Sequence, residues 1–248
     1  MEICELWRYP VASFAGERCG ELCLMPMGPE GDRAFVAIRS GDLKVASPET
    51  DGAWRRAPEI EARGDPPSLR LPGGDWLSLP GVQAELALGR FFGFPVGLKK
   101  ALAFNRPHPD GVPVRAPRLP LHLVTTWQLN LLRSAMPDSH VAVERFRPNL
   151  VIEANREETE RMAMGSILRA GTCRIEIVEQ TVRCGFIALA QNNLPKDGKV
   201  LKHLRRHSNL RFGFGCRVHE SGRLFVGDGL WFEARKTAKM LMAKSSHF

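Results

Sequence analysis

The sequence predicts a mainly β protein with few helices and a closed or sandwich-like architecture. Many short segments are rich in β-branched and aromatic residues, and turn-forming Gly, Pro, Asn and Asp residues separate them. Helical spacing of apolar residues is confined to a few stretches of the chain. This combination of many short strands and frequent turn signals is typical of β-barrels and β-sandwiches.

The predicted strands fall into two groups, one in each half of the chain. In the first half they cover residues 4–11, 33–39, 68–71 and 76–80. In the second half they cover residues 149–153, 166–169, 174–178, 186–190, 218–220, 223–226 and 230–232. Gly-Gly at 73–74 and Ser-Gly at 221–222 supply the residue types that hairpin turns require.

Helices are predicted at residues 82–92, 127–135 and 198–207 and in the basic tail, residues 234–243. Thr125 and Thr126 precede the second of these helices and predict its N-cap, because a threonine hydroxyl accepts from the free N–H groups of a first turn. Residues 105–120 are rich in proline, which cannot donate to a regular ladder. This stretch is therefore predicted to be an exposed connection between two subdomains.

The amino-acid composition limits the classes of function that are plausible for this chain. The chain has 248 residues, of which 44% are hydrophobic and 25% charged, as in globular proteins of one large or two smaller domains. The net charge of +8 is compatible with nucleic acid, a phosphorylated small ligand or a solvated basic surface. A single tyrosine, and no basic stretch interleaved with aromatic residues, argue against nucleic acid as the partner.

The cellular compartment is predicted from the first residues and the cysteines. The segment MEICELWRYPV carries acids and an arginine where a secretory signal needs a basic start and an apolar core. No apolar run of about 18 residues could span a membrane. We therefore expect a cytoplasmic protein without a membrane span, whose six cysteines are reduced thiols.

An anion site is predicted at the start of the segment ERFRPNLVIE. Arg145, Arg147 and Asn149 alternate in sequence, so they would share one side of an extended segment. Arginine forks bind phosphate and carboxylate groups through charge-assisted hydrogen bonds. The alternative is that this is an ordinary solvated strand edge.

A cysteine in TVRCGF is the second candidate. In positive surroundings the Cys184 thiol would be driven toward thiolate, which attacks electrophiles and binds soft metals. Arg183 would point to the opposite side of a strand, so other groups would have to activate the thiol. The alternative is a buried cysteine that acts as a small hydrophobic residue.

Other motifs predict no site of their own. His203 and His207 have metal-binding spacing on a helix, but basic residues surround them and no glutamate follows the first histidine. Cys19 and Cys23 lack a second cysteine pair, which argues against zinc. The glycines of RFGFGC do not open a helix, which argues against a dinucleotide-binding loop.

An ordered set of segments resembles the MOSC family, the domain type found at the C-terminus of molybdenum cofactor sulfurases. These segments are ELWRYPVASFAGE, GDRAFVAI, RFRPNLVIE, VRCGF, VLKHL, FGFGCRV and GRLFVGD. The resemblance covers nearly the whole chain. It implies a β-rich N-terminal MOSC-associated domain over residues 1–104 and a MOSC β-barrel with a helical tail over residues 105–248.

The resemblance also implies a site for the molybdenum cofactor, a pterin with a phosphate tail and a metal-binding dithiolene. Cys184 matches the family cysteine that ligates molybdenum, and thiolate is a soft ligand suited to that centre. The other matching positions would bind the cofactor: Ser13, Arg33, Thr125, Thr126, Arg145, Arg147 and Asn149. A lysine of the family pattern is Ala12 here, and Lys44 is a possible substitute.

By the same resemblance, the expected activity is reduction of N-hydroxylated or N-oxide-type compounds. No ferredoxin-type cysteine cluster follows the domain, so a separate electron-transfer protein would be needed. Two alternatives stay open: a sulfurtransferase that carries a persulfide on Cys184, and a non-catalytic carrier of the cofactor.

Overall fold

A computed structural model describes residues 1–41, 44–101 and 119–234. Its strands, β1 to β16 in chain order, are Glu2–Arg8, Glu17–Cys19, Glu21–Met25, Gly28–Pro29, Phe35–Arg39, Glu61–Gly64, Pro67–Arg70, Trp76–Ser78, Val96–Lys100, Leu121–Thr125, Leu150–Glu153, Ile167–Ala170, Cys173–Val182, Arg211–Glu220, Gly222–Phe225 and Trp231–Phe232. Its helices, α1 to α5, are Val82–Phe92, Thr126–Ala135, Val143–Phe146, Arg156–Arg161 and Gly198–Ser208. Short 3-10 turns cover Gly52–Trp54, Ala57–Glu59 and Gly185–Ala188.

An eight-stranded sheet forms the main layer of the protein. Its strand order is β16-β12-β13-β14-β10-β11-β1-β2, and β10 and β11 are parallel to each other. The mainly β prediction is confirmed. The expected closure into a barrel is not found, since within the described residues β16 and β2 remain edges; these strands have only two and three residues.

The first strand of the chain belongs to this main sheet. β1 pairs antiparallel with β11, so that Leu6 lies opposite Leu150. β3 also pairs with β15 near the other end of the chain. Strands β1 and β3 therefore pair with strands of the second half of the chain, while the division of the chain at residue 104 stays a prediction.

A second layer is built from β5 to β9 and α1. β5 pairs with β9, and β6, β7 and β8 form a small antiparallel sheet. Trp54 is fully buried here, and its ring meets Phe92 and Phe94 edge to face at centroid distances of 4.7 and 5.0 Å. α1 has the predicted bounds and ends at Gly93, whose φ of 79° is favourable for glycine.

Trp54→Ala should destabilise this layer strongly. Removing a fully buried tryptophan leaves a large cavity and costs about 3–5 kcal/mol in the free energy of unfolding. Urea unfolding followed by circular dichroism measures the loss, with Trp231→Ala, at a residue 52% exposed, as the matched control. Equal losses in the two variants would contradict the assignment of Trp54 to the core.

The predicted elements near the candidate site are partly confirmed. α2 begins at Thr126, and the Thr125 side chain caps it by accepting from the Gln128 N–H. The predicted strand over residues 186–190 is wrong, because the chain forms a 3-10 turn over Gly185–Ala188. Most of the predicted connection and the tail from residue 235 lie outside the described residues.

The extended conformation predicted for the RFRPN segment is also wrong. Residues Val143–Phe146 form the single helical turn α3. The turn ends at Arg147, which adopts a left-handed conformation, and β11 begins only at Leu150. Arg145 and Arg147 therefore do not project from one side of a strand. None of the helices in the described ranges is long and apolar enough to cross a membrane.

Candidate functional site

A cavity of about 390 Å³ lies where the main sheet meets the second layer. It brings together four of the residues predicted for the site, namely Ser13, Arg33, Arg147 and Cys184. The rest of its lining is Ala12, Leu119, Leu121, His122, Phe146, Glu179, Thr181, Val182, Arg183, Phe186 and Gly215. Residues from distant parts of the chain thus form one pocket.

Cys184 reaches the cavity because β13 ends just before it. The strand stops at Val182, and Cys184 is the N-cap of the following 3-10 turn. The expectation that Arg183 and Cys184 lie on opposite sides is therefore wrong: alternation ends with the strand, and both residues line the cavity. Cys184 is also the one exposed cysteine of the six, which excludes the buried alternative.

Three residues of the cavity wall have left-handed backbone conformations. The φ angles of Ser13, Arg33 and Arg147 are 71°, 51° and 51°. Such conformations cost about 1–3 kcal/mol each for residues other than glycine, and they cluster at functional sites. Surrounding contacts hold them in place. The Ser13 hydroxyl, for example, donates to the carbonyl of Ala46 at 2.8 Å.

The single tyrosine of the chain supports two of the arginines. The guanidinium carbons of Arg33 and Arg147 lie 5.4 and 4.1 Å from the ring centroid of Tyr9. Tyr9 is buried, which raises its pKa, and its hydroxyl donates to the carbonyl of Pro148 at 3.2 Å. Arg33 is also paired with Asp32. The ring therefore holds two cations beside the cavity by cation–π contact.

A histidine orients the third arginine. Nη1 of Arg183 lies 3.2 Å from Nε2 of His122. A guanidinium only donates, so Nε2 must accept, and the ring proton is on Nδ1, 3.4 Å from the carbonyl oxygen of Arg147. Burial, together with the charge of Arg183, lowers the pKa of His122 well below its usual value. Neutral His122 thus links the two arginines.

Arg183 keeps its charge near neutral pH although it is buried. Burial lowers its pKa to about 10, while the nearby Cys184 and Tyr9 raise it. Its Nη2 donates to the carbonyl of Phe146. The site therefore presents three guanidinium groups, those of Arg33, Arg147 and Arg183, around one cavity.

Two polar atoms in this wall have no hydrogen-bond partner among the described residues. They are Oγ1 of Thr181 and Nε of Arg183, and both are shielded from solvent. More than about 90% of buried polar groups in proteins are paired with protein or ordered water. An ordered water or a polar group of a ligand can pair with these two atoms.

Comparison with known proteins identifies the domain that carries most of the cavity. Residues 111–231 match the family model of the MOSC domain. The chain carries a MOSC domain. The matched range includes His122, Arg147, Arg183 and Cys184. Ser13 and Arg33 precede it, so the cavity is completed by residues from outside the matched range.

The chain is also similar to several solved structures, and no curated protein matches it. The YuaD protein of Bacillus subtilis is 14% identical with a TM-score of 0.49, and the match covers 92% of this chain and 93% of that one. YiiM of Escherichia coli is 11% identical with a TM-score of 0.45, over 95% of this chain and 71% of that one. YiiM of Geobacillus stearothermophilus is 18% identical with a TM-score of 0.38, over 48% and 57%.

Arg145 lies in the MOSC domain but does not line the cavity. Its side chain is fully buried, and its guanidinium group donates four hydrogen bonds to backbone carbonyl oxygens. These bonds connect α3 to the turn that follows Cys184. The acceptors are His140, Ile187, Leu189 and Pro195, at distances of 2.6–3.1 Å. Arg145 therefore stabilises the turn that positions Cys184.

Three other residues predicted for the site also lie outside the cavity lining. The side-chain oxygen of Asn149 accepts from the backbone N–H of His122 at 3.1 Å and so helps to position that residue. Thr125 caps α2, and the Thr126 hydroxyl accepts from the backbone N–H of Ala154. Each of these polar groups has a structural partner.

Sequence reasoning did not identify His122 or Thr181, and it set Arg183 apart from Cys184. Thr181 lies near the end of β13 and Arg183 follows the strand, so both line the cavity where the strand ends. His122 becomes apparent only from the fold, because β10 pairs with β14 and places His122 opposite Gly215. Lys44, the suggested replacement for the missing lysine, does not line the cavity, whereas Ala12 does.

Proposed function

We propose that the cavity binds the molybdenum cofactor and that the protein is a MOSC-type oxidoreductase. The MOSC family is linked to this cofactor. The observation that carries the proposal is an exposed thiol and three guanidinium groups around one cavity. The reaction proposed is reduction of N-hydroxylated or N-oxide-type compounds, with electrons from a separate protein.

The anionic part of the cofactor suits the cationic wall. Arg33, Arg147 and Arg183 can donate charge-assisted hydrogen bonds to a phosphate. The free hydrogen-bonding atoms of Thr181 and Arg183 add two further polar contacts. At about 390 Å³ the cavity falls within the range of about 300–1,000 Å³ that is usual for small-ligand sites.

The metal-binding chemistry also fits. Within the described ranges no group of three or more His, Cys, Asp or Glu side chains could hold a metal ion. A metal at Cys184 would therefore need its remaining ligands from a cofactor, and a dithiolene provides soft sulfur ligands of that kind. The bound cofactor would supply the two-electron chemistry in which an N–O bond is broken and water is released.

The residues of the chain would bind, orient and expose the cofactor. Cys184 would be the metal ligand, and its exposure leaves the metal side open to a small-molecule substrate. Neutral His122 would accept a hydrogen bond from the Arg183 guanidinium group and so orient that group toward the ligand, without adding a positive charge. Arg183 also supplies a cation in the cavity where Ala12 replaces the family lysine.

Metal and pterin analysis tests this proposal. Protein purified from a host that makes the molybdenum cofactor should contain about one molybdenum and one pterin per chain, because a single cavity holds all the proposed contacts. It should also reduce N-hydroxylated compounds when a chemical reductant supplies the electrons. Absence of both molybdenum and pterin would contradict the proposal.

Exposure of Cys184 favours one second candidate, sulfur transfer. A persulfide on this thiol would be accessible to an acceptor, whereas the other five cysteines are buried or half-buried. This function predicts sulfane sulfur on Cys184 and no retained molybdenum. A non-catalytic carrier would instead retain molybdenum and pterin without turnover.

The six free thiols support a proposed cytoplasmic location.

A further inference from the structure

Helix α5 presents a continuous basic surface. Val200 and Leu204 are buried, and the rest of the helix carries six basic side chains. We call these residues the basic face of α5: Lys199, Lys202, His203, Arg205, Arg206 and His207. No lysine or arginine of this face forms a salt bridge with a carboxylate in the described part of the chain. The positive charges of these lysines and arginines are therefore exposed to solvent.

Helix stability does not explain all the charges of this face. Like charges three or four residues apart destabilise a helix, and Lys199–Lys202 and Lys202–Arg206 both have this spacing. The two histidine rings are only 4.4 Å apart, and after burial the proximity of His207 is a further cause that lowers the pKa of His203. Lys199 lies in the first turn, where the helix dipole favours acids.

Only the end of α5 has a structural reason to be basic. Arg205, Arg206 and His207 lie in the last turn, where cations interact favourably with the helix dipole. That explanation does not extend to Lys199 and Lys202. A binding partner of opposite charge would account for the whole face.

The basic face lies on the element that carries the proposed metal ligand. α5 packs against the 3-10 turn that starts after Cys184, and Val200, Leu204 and Ile187 share one buried cluster. Because the buried side of α5 faces this turn, a protein docked on the basic face would be separated from the Cys184 turn by the thickness of the helix, about 10 Å. Such a position suits a donor that must bring its redox group near the cofactor.

We propose that the basic face of α5 is the docking surface for an acidic electron-transfer protein, an inference that rests on the proposed reductase function. Each N–O bond reduced takes two electrons and two protons and releases water, so two molecules of a one-electron carrier would dock and be oxidised in succession. A helix of 11 residues is about 16 Å long, a size suited to the small, weak interfaces of redox partners. It has no Phe, Tyr or Trp on which bases could stack, so nucleic acid suits it less well.

A charge-reversal experiment tests the docking surface. The variant Lys202→Glu/Arg205→Glu/Arg206→Glu is compared with Arg55→Glu/Arg90→Glu/Lys100→Glu, which makes the same change in charge at exposed residues outside α5. Binding of an acidic 2Fe–2S ferredoxin and of a flavodoxin is measured by titration at low and moderate salt. The α5 variant should bind at least about 10-fold more weakly than the wild type, as expected when electrostatic complementarity is lost.

The control variant should retain most of the binding, and salt should weaken the wild-type complex. Equal weakening in both variants, or no binding of either acidic carrier by the wild type, would overturn the proposal. Tighter binding of a 20-base-pair duplex DNA to α5 would also overturn it, in favour of nucleic acid. The binding assay is independent of turnover, and molybdenum and pterin content of the same preparations shows separately whether the proposed function fails.

Discussion

Cys184→Ala is expected to abolish reductase turnover while the fold is kept. The thiol is exposed at the end of β13 and has no hydrogen bond among the described residues that the fold would lose. Loss of a group that acts directly in the reaction lowers kcat by at least about 100-fold. The measurement is reduction of an N-hydroxylated compound with a chemical reductant, together with thermal unfolding. X-ray absorption of bound molybdenum should show one sulfur ligand fewer.

Two further variants sharpen the test of Cys184. Cys184→Ser keeps the size of the side chain but replaces a soft sulfur ligand with a hard oxygen. This variant should therefore lose most of the reductase activity. Cys23→Ala removes a half-buried thiol that is not in the cavity and should leave turnover unchanged. Full activity in Cys184→Ala would exclude the metal-ligand role. Sulfane sulfur on wild-type Cys184, without molybdenum, would support sulfur transfer instead.

The regular elements could be predicted because their signals are local. α1 shows helical spacing followed by Gly93, and α2 follows a threonine that can cap it. The main sheet could not be assembled from the sequence in the same way. The pairing of β1 with β11 joins residues nearly 150 positions apart, and no local pattern specifies such a partner.

The structure brings together some of the residues that the sequence singled out for the site. Cys184, Arg33, Arg147 and Ser13 line one cavity, and their roles in binding stay predictions. The role of Arg145 could not be deduced, because Arg145 and Arg147 look equivalent in an extended segment. The complete burial of the Arg145 side chain and the left-handed conformation of Arg147 separate their roles, and both arise from tertiary packing.

Arg147→Ala is expected to weaken retention of the pterin by about 10- to 100-fold. Arg147 is held against Tyr9 and Phe186 beside the cavity, with ring distances of 4.1 and 5.0 Å. A hydrogen bond to a charged group contributes about 1.5–3 kcal/mol, and each 1.4 kcal/mol is tenfold in affinity. Pterin fluorescence of the purified protein, measured during dialysis, gives the rate of loss.

Arg147→Lys separates charge from geometry. Lysine keeps the positive charge but lacks the planar fork, so retention should fall between that of Arg147→Ala and the wild type. Arg18→Ala, at an arginine that is not in the cavity, is the control for general loss of positive charge. If Arg147→Ala retained pterin as well as this control did, the anion would not be bound by Arg147. The left-handed conformation of Arg147 would then require an explanation other than ligand binding.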